Sequence, residues 1–141
     1  MPFSAETVYH VVSDVDAYRY FLPWCTGSQV HSRSPDGTYM EAELVIGTFG
    51  IQERYMSKVM LDLNRSVVVD ASDSPLFHHL TNEWRFEPIG SQQCRLHFVV
   101  DFAFRSSSHS YIANMFFASV VQKLVGAFQT RIEHLSSIKS R

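Results

Sequence analysis

The stretch that decides the fold is CRLHFVVDFAF, residues 94–104. Apolar residues alternate with polar ones over most of its length, which predicts a long strand with one buried face. The predicted buried face is entirely apolar and consists of Leu96, Phe98, Val100, Phe102 and Phe104. The opposite face carries Arg95, His97 and Asp101. A strand of this kind needs an apolar partner on one side and tolerates water on the other.

The residues after this strand predict that partner. Ser106–Ser108 opens a segment, reaching to about Ile138, in which apolar residues recur at helical spacing. The apolar stripe consists of Phe117, Val120, Val121, Leu124, Phe128, Ile132 and Leu135. We therefore expect one long C-terminal helix to pack on the apolar face of the sheet.

The chain before residue 94 predicts two short helices and five more strands. Ser4 is expected to cap the first helix, and Asp16 a second one that Pro23 stops. The expected strands of the sheet are about Ser28–Ser34, Tyr39–Ile46, Ile51–Met60, Val67–Val69, Leu80–Glu87 and Cys94–Phe104. This order predicts an α+β fold, in which one curved antiparallel sheet of about six strands packs on the long terminal helix.

The composition of the chain argues against several functional classes. The 141 residues carry 14 acidic and 12 basic side chains, and 45% are hydrophobic. This describes one folded domain, and the net charge of −2 argues against a nucleic-acid binder. No apolar run is long enough to span a bilayer, and the first residues resemble neither a secretory signal nor a transit peptide. Cys25 and Cys94 are expected to be free thiols.

The residues with chemical potential do not assemble into a recognisable catalytic motif. His78 and His79 are adjacent, so on a strand they would point to opposite faces and could not share a metal ion. Glu53 and Tyr55 share one face and could support acid–base chemistry, but with Arg54 they also suit structural ion pairs and hydrogen bonds. We therefore expect a binding module without catalytic residues, metal or catalytic cofactor.

Two loops and the inner face of the sheet leave alternatives open. The inner positions are rich in Phe, Leu and Val, which favours a filled core over a ligand cavity. The segments 46–51 and 75–77 place apolar residues in loops, among them Phe49, Leu76 and Phe77. Such residues either gate a cavity or contact a bilayer, or they fold back on the core.

Several segments in order resemble the coenzyme Q-binding proteins of the START-like, polyketide cyclase/dehydrase superfamily. These are Phe21–Cys25 (FLPWC), Glu53–Tyr55 (ERY), Leu76-Phe77-x-x-Leu80-x-x-x-Trp84-x-Phe86, Asp101-Phe102-x-Phe104-Arg105-Ser106, His109-Ser110 and Met115–Phe117. The resemblance covers essentially the whole chain. FLPWC and FxFRS are its most specific parts.

The resemblance implies a helix-grip fold, with residues 1–141 as a single START-like lipid-binding domain. It implies a hydrophobic tunnel that holds ubiquinone or a similar polyisoprenoid lipid, in a carrier or chaperone that supports mitochondrial respiration and coenzyme Q biosynthesis. The implied location is the matrix side of the inner membrane, with peripheral membrane contact. The expected tunnel lining consists of Leu44, Tyr55, Trp84, Phe86, Phe98, Val100, Phe102, Phe117, Val121, Leu124 and Phe128. Phe49, Leu76 and Phe77 are expected at the tunnel mouth.

The resemblance leaves two other functions open, and one feature departs from it. The superfamily also contains polyketide cyclases, and bacterial relatives are described as inhibitors of ribosomal subunit association. Family members begin with a strand before the first helix, whereas here the helix starts at Ser4. We therefore expect the first family strand to be missing from this chain, together with a presequence.

Overall fold

The computed structural model describes residues 2–22, 25–48, 51–71, 77–104 and 122–136, and their side chains except those of residues 48, 51, 53, 77 and 104. Helix α1 spans Ala5–Ser13, and a 3-10 helix spans Val15–Tyr20. The strands are β1 (Cys25–Arg33), β2 (Tyr39–Thr48), β3 (Ile51–Asp62), β4 (Ser66–Asp70), β5 (Phe77–Gly90) and β6 (Gln93–Phe104). Residues 122–136 are helical and are called α2 here.

The six strands form one antiparallel meander in the order β1-β2-β3-β4-β5-β6. This confirms the predicted curved sheet with its C-terminal helix. The register brings inward-facing residues side by side, with Leu44 opposite Tyr55 and Trp84 opposite Phe98. The inner face of the sheet is therefore a continuous apolar surface.

Most strands extend beyond the predicted ends. β2 continues through Gly47 and Thr48, which pair with Gln52 and Ile51 of β3. β5 begins at Phe77 and passes Pro88, with an irregular register between Pro88 and Gly90. The prediction ended strands at turn-forming residue types, but a β-bulge lets a strand pair pass such residues.

The predicted cap of the first helix is confirmed, and that of the second is wrong. Ser4 Oγ accepts a hydrogen bond from the Thr7 amide at 3.2 Å. Asp16 lies inside the 3-10 helix, and its Oδ1 accepts a hydrogen bond from the Val30 amide at 2.7 Å. Its other carboxylate oxygen is 3.6 Å from Arg33. Asp16 therefore ties the 3-10 helix to β1, a role that depends on tertiary contact and not on local sequence.

A buried serine completes this attachment. Ser28 Oγ donates to the Asp16 carbonyl at 2.9 Å and accepts from the Arg19 amide at 3.1 Å. Ser28 is only 4% exposed, so both of its bonds are shielded from water. The 3-10 helix is therefore held across β1 by side-chain hydrogen bonds from both elements.

Both α-helices pack on the inner face of the sheet. Val8 and Val12 of α1, with Phe128 and Ile132 of α2, are at most 1% exposed. Tyr9 contacts Phe86 edge-on, with ring centroids 6.1 Å apart. The buried residues of one cluster, called the packed core here, are Ala5, Val8, Tyr9, Val11, Val12, Val15, Leu22, Cys25, Met40, Ala42, Val59, Val67, Trp84, Phe86, Cys94, Phe128 and Ile132.

Phe128 is predicted to be among the most destabilising positions to truncate. Replacing Phe128 with Ala should lower the free energy of unfolding by roughly 3–5 kcal/mol, because the change opens a cavity at the centre of the packed core. Urea unfolding followed by circular dichroism measures the difference. Leu63→Ala is the control, since Leu63 is 67% exposed and should change stability little. Equal losses in the two variants would contradict the central position of Phe128.

Candidate functional site

The predicted lining residues divide between two apolar clusters on the inner face of the sheet. Trp84, Phe86 and Phe128 are buried members of the packed core, and Leu44, Phe98 and Leu124 pack against it. The second cluster consists of buried Ala71 and Leu80 with partly buried Ile46, Tyr55, Val100 and Phe102. The sheet therefore has a filled region under the helices and a separate apolar region beside it.

The aromatic side chains of the filled region contact one another. The Trp84 ring lies 4.3 Å from Phe98 and 4.9 Å from Phe128, centroid to centroid. Phe128 also meets the rings of Tyr18 and Phe21 edge-on, at 5.3 and 5.1 Å. Aromatic rings at these separations occupy the interior themselves. Of the six predicted lining residues in this region, Trp84, Phe98 and Phe128 are therefore in ring contact with neighbouring aromatic side chains, and the role of all six in ligand binding stays a prediction.

The second cluster is smaller, with two buried and four partly buried residues. Three of its members, Tyr55, Val100 and Phe102, were predicted from the sequence to line the site. Ile46 and Leu80 lie in the expected strands Tyr39–Ile46 and Leu80–Glu87 but were not singled out for the site. Ala71 follows β4 and carried no signal of its own in the sequence.

Five predicted residues cannot be compared with the structure. Phe117, Val121, Phe49 and Leu76 lie outside the described residues. Phe77 is the first residue of β5, but its side chain lies outside the description. Their expected roles at the lining and the mouth stay predictions.

The inner face also carries polar groups, and these hold their protons. Burial raises the pKa of the Tyr55 phenol well above its ordinary value, and the Cys25 thiol nearby raises it further. Burial likewise raises the pKa of Tyr18, whose hydroxyl donates to the Val12 carbonyl. The Cys25 thiol, whose pKa is also raised by burial, donates to the Gly27 carbonyl at 3.2 Å. These groups are neutral hydrogen-bond donors at physiological pH, not bases or nucleophiles.

The remaining candidate chemical groups are separated from the inner face. Arg54 lies on the outer face and is 3.7 Å from Glu43, so it does not join Tyr55. The Glu53 side chain lies outside the description. His79 Nε2 is 2.9 Å from Asp101 Oδ1 on the outer face, and both His78 and His79 lie within β5.

The described residues contain neither a metal-binding cluster nor a membrane-spanning helix. Among them, no three metal-binding side chains lie close enough together to hold an ion. None of the helices in the same ranges is both long and apolar enough to cross a bilayer.

The outer face of the sheet carries charges of both signs in close pairs. Arg85 Nε lies 3.6 Å from Glu83 and Arg95 lies 3.8 Å from Glu87. His97 Nε2 is 3.0 Å from the same Glu87 carboxylate, whose pKa is lowered by the His97 hydrogen bond and by Arg95. Pairing of this kind offsets the positive charge of Arg85, Arg95 and His97 locally.

An open groove of about 570 Å³ lies between the last strand and α2. Its lining consists of Ile89, Cys94, Arg95, Leu96, Phe98, Val125 and Gln129. The groove runs along the first half of β6, away from Tyr55 and Phe102, so it is distinct from the second cluster.

Known proteins share both the sequence and the fold. A family model described as polyketide cyclase / dehydrase and lipid transport matches residues 1–129. The coenzyme Q-binding protein COQ10 homolog B, mitochondrial, of Xenopus laevis is 40% identical over 130 residues, which make up 90% of this chain. The chain spans about half of that relative, 52% of its length.

A bacterial relative matches over a larger share of its own length. The ribosome association toxin RatA of Escherichia coli is 31% identical over 139 residues, 99% of this chain and 86% of the relative. Among solved structures, the Zhui aromatase/cyclase of a Streptomyces species has a TM-score of 0.80 at 17% identity and covers 94% of this chain and 88% of its own. The chain therefore belongs to the polyketide cyclase / dehydrase and lipid transport family, adopts the START-like fold, and is related to the coenzyme Q-binding proteins.

Proposed function

We propose that the protein binds ubiquinone or a similar polyisoprenoid lipid and acts as a non-catalytic lipid chaperone or carrier. The observation that carries this proposal is the second cluster, an apolar region of the inner face that the packed core does not include. The relationship to proteins named for coenzyme Q binding supports the class of ligand.

The energetics favour a ligand with a long apolar tail. Each methylene that leaves water contributes about 0.8 kcal/mol, so an isoprenoid chain binds through buried area. Val100, Phe102, Ile46 and Leu80 provide such area. Tyr55 adds a protonated phenol at the same place, which can donate a hydrogen bond to a quinone carbonyl. One polar donor in an apolar site is typical of small-molecule recognition.

The position of the second cluster supports entry from one end of the sheet. Ile46 lies two residues before the end of β2, and Ala71 directly follows β4. In the sequence, the predicted mouth residues Phe49 and Leu76 belong to the connections that start at these points, and Phe77 is the first residue of β5. We infer that this end contacts the inner mitochondrial membrane from the matrix side. There the protein would support respiration and coenzyme Q biosynthesis.

The described inner face supports binding over catalysis. A cyclase would need ionisable groups that converge on the ligand. Within the described side chains of the second cluster, Tyr55 is the titratable one, and burial keeps it protonated. The fold shared with an aromatase/cyclase is therefore compatible with a carrier.

A charge in the second cluster is predicted to abolish lipid retention. Phe102→Glu should prevent quinone binding, because the carboxylate would have to be desolvated beside the apolar tail. The measurement is mass spectrometry of the organic extract of purified protein. Met60→Glu is the matched control, since Met60 lies on the outer face and is 47% exposed. Stoichiometric quinone in a folded Phe102→Glu protein would contradict the assigned site.

Removing the Tyr55 hydroxyl is predicted to weaken quinone binding selectively. Tyr55→Phe should lower ubiquinone affinity about 5- to 10-fold, the effect of one lost hydrogen bond of roughly 1–1.5 kcal/mol. Affinity for an isoprenoid alcohol of the same tail length should change less, because it has no quinone carbonyl. Fluorescence titration with both ligands measures the difference. Equal losses for the two ligands would assign Tyr55 to packing instead.

A second candidate function is ribosome association. It is favoured by the identity with RatA, which extends over nearly the whole chain and most of that relative. The paired charges of the outer face oppose it, because contact with ribosomal RNA calls for unneutralised basic side chains. The two functions predict different partners for the same fold.

Ribosome sedimentation separates the two functions. We expect the purified protein to leave the ratio of joined to free bacterial subunits unchanged in a sucrose gradient at physiological salt. In a Glu43→Gln, Glu87→Gln double variant, Arg54 and Arg95 lose these partners. Sedimentation of this variant with ribosomes shows whether the added positive charge is enough for ribosome binding. Dissociation of ribosomes by the unaltered protein would favour the second function.

A further inference from the structure

Asn82 is a polar residue on the apolar inner face of the sheet. Side chains along β5 alternate, which places Asn82 on the same face as Leu80 of the second cluster and Trp84 of the packed core. Its cross-strand partners are Val69 on β4 and Val100 on β6. Asn82 therefore lies at the border between the two clusters, among apolar neighbours.

The indole of Trp84 fixes the orientation of the Asn82 amide. Trp84 Nε1 is 3.2 Å from Asn82 Oδ1. Because an indole N–H can only donate, the amide accepts with its oxygen, and its NH2 end remains available. Within the described residues, this NH2 group has no hydrogen-bond partner. Asn82 is partly buried, and a shielded donor without a partner costs free energy unless a ligand accepts its hydrogen bond.

Other polar side chains of the inner face use their protons within the protein. The buried hydroxyl of Ser57 donates to the Ala42 carbonyl at 3.1 Å. The Cys25 thiol donates to the Gly27 carbonyl at 3.2 Å. Asn82 differs from both residues, because it still offers a donor to a molecule from outside the chain.

We propose that the NH2 group of Asn82 donates to a quinone carbonyl and thereby selects the oxidised quinone over the quinol. This inference rests on the proposed lipid-binding function. Quinone carbonyls only accept hydrogen bonds, whereas quinol hydroxyls carry protons that need an acceptor. At the NH2 end of the amide such a proton finds none, and the amide cannot turn its oxygen there without breaking its bond to Trp84. Asn82 is therefore held as a donor, and a fixed donor discriminates against a ligand that must also donate.

Tyr55 and Asn82 are placed to serve the two carbonyls of one quinone. Asn82 pairs across the sheet with Val69 and, through it, with Val59 of β3. Tyr55 lies four residues before Val59 on the same strand. With strands about 4.8 Å apart and a rise of about 3.4 Å per residue, the Cα atoms of Tyr55 and Asn82 are about 17 Å apart. This separation leaves room for one ring between the two side chains, and the carbonyls of a quinone lie on opposite sides of its ring.

Competition between the two redox forms tests the role of Asn82. The purified protein is equilibrated anaerobically with equal amounts of ubiquinone and ubiquinol of one tail length. After unbound lipid is removed, both forms are quantified in the organic extract. The unaltered protein should retain the quinone at least about fivefold over the quinol, the effect of one hydrogen bond. Asn82→Asp should abolish or reverse this preference, because a carboxylate accepts from Trp84 and from a quinol but cannot donate to a carbonyl.

Two further variants separate this effect from charge and from stability. Asn82→Leu carries no charge and should also lose the preference. Gln93→Glu is the matched control, since it changes an amide to an acid at an exposed position at the start of β6, and it should keep the preference. A less stable variant retains less of both forms, but the ratio of the two forms does not change for that reason.

The outcomes distinguish this inference from the proposed function. Equal retention of quinone and quinol by the unaltered protein would overturn the role of Asn82 alone. The same holds for an unchanged preference in Asn82→Asp, or for an equal loss in Gln93→Glu. An unaltered protein that retains neither form would overturn the proposed function, and this inference with it.

Discussion

The structure depends on the contact between Phe128 of α2 and the aromatic rings on the inner face of the sheet. Trp84 and Phe98 lie side by side on β5 and β6, and Phe128 covers Trp84 at 4.9 Å. Tyr18 and Phe21 bring the N-terminal segment to the same ring. Without the Phe128 side chain, Trp84, Tyr18 and Phe21 would lose the ring that they share, and a cavity would open in the packed core.

This contact also explains where a ligand can bind. Because the packed core is filled by its own aromatic side chains, apolar area for a lipid must come from another part of the inner face. The second cluster provides it around Leu80 and Ala71. The protonated state of Tyr55 follows from the same burial, so the region that favours a lipid also disfavours acid–base chemistry. Burial of side chains on the inner face therefore underlies both the fold and the proposed function.

The sequence predicted the strands well because alternation reports which side chains face inward. It could not tell Trp84 from Phe102, since both lie on apolar faces, whereas the structure places Trp84 in the packed core and Phe102 in the second cluster. Asp16 was assigned to a cap for a similar reason. Its partner, the Val30 amide, is 14 residues away, and local sequence carries no information about such a contact.

β6 shows how one strand can serve several surfaces at once. Phe98 packs on Trp84, Leu96 lines the groove, and Phe102 belongs to the second cluster, all on the same inner face. A one-residue slip would turn all three outward, so register along β6 is under strong constraint.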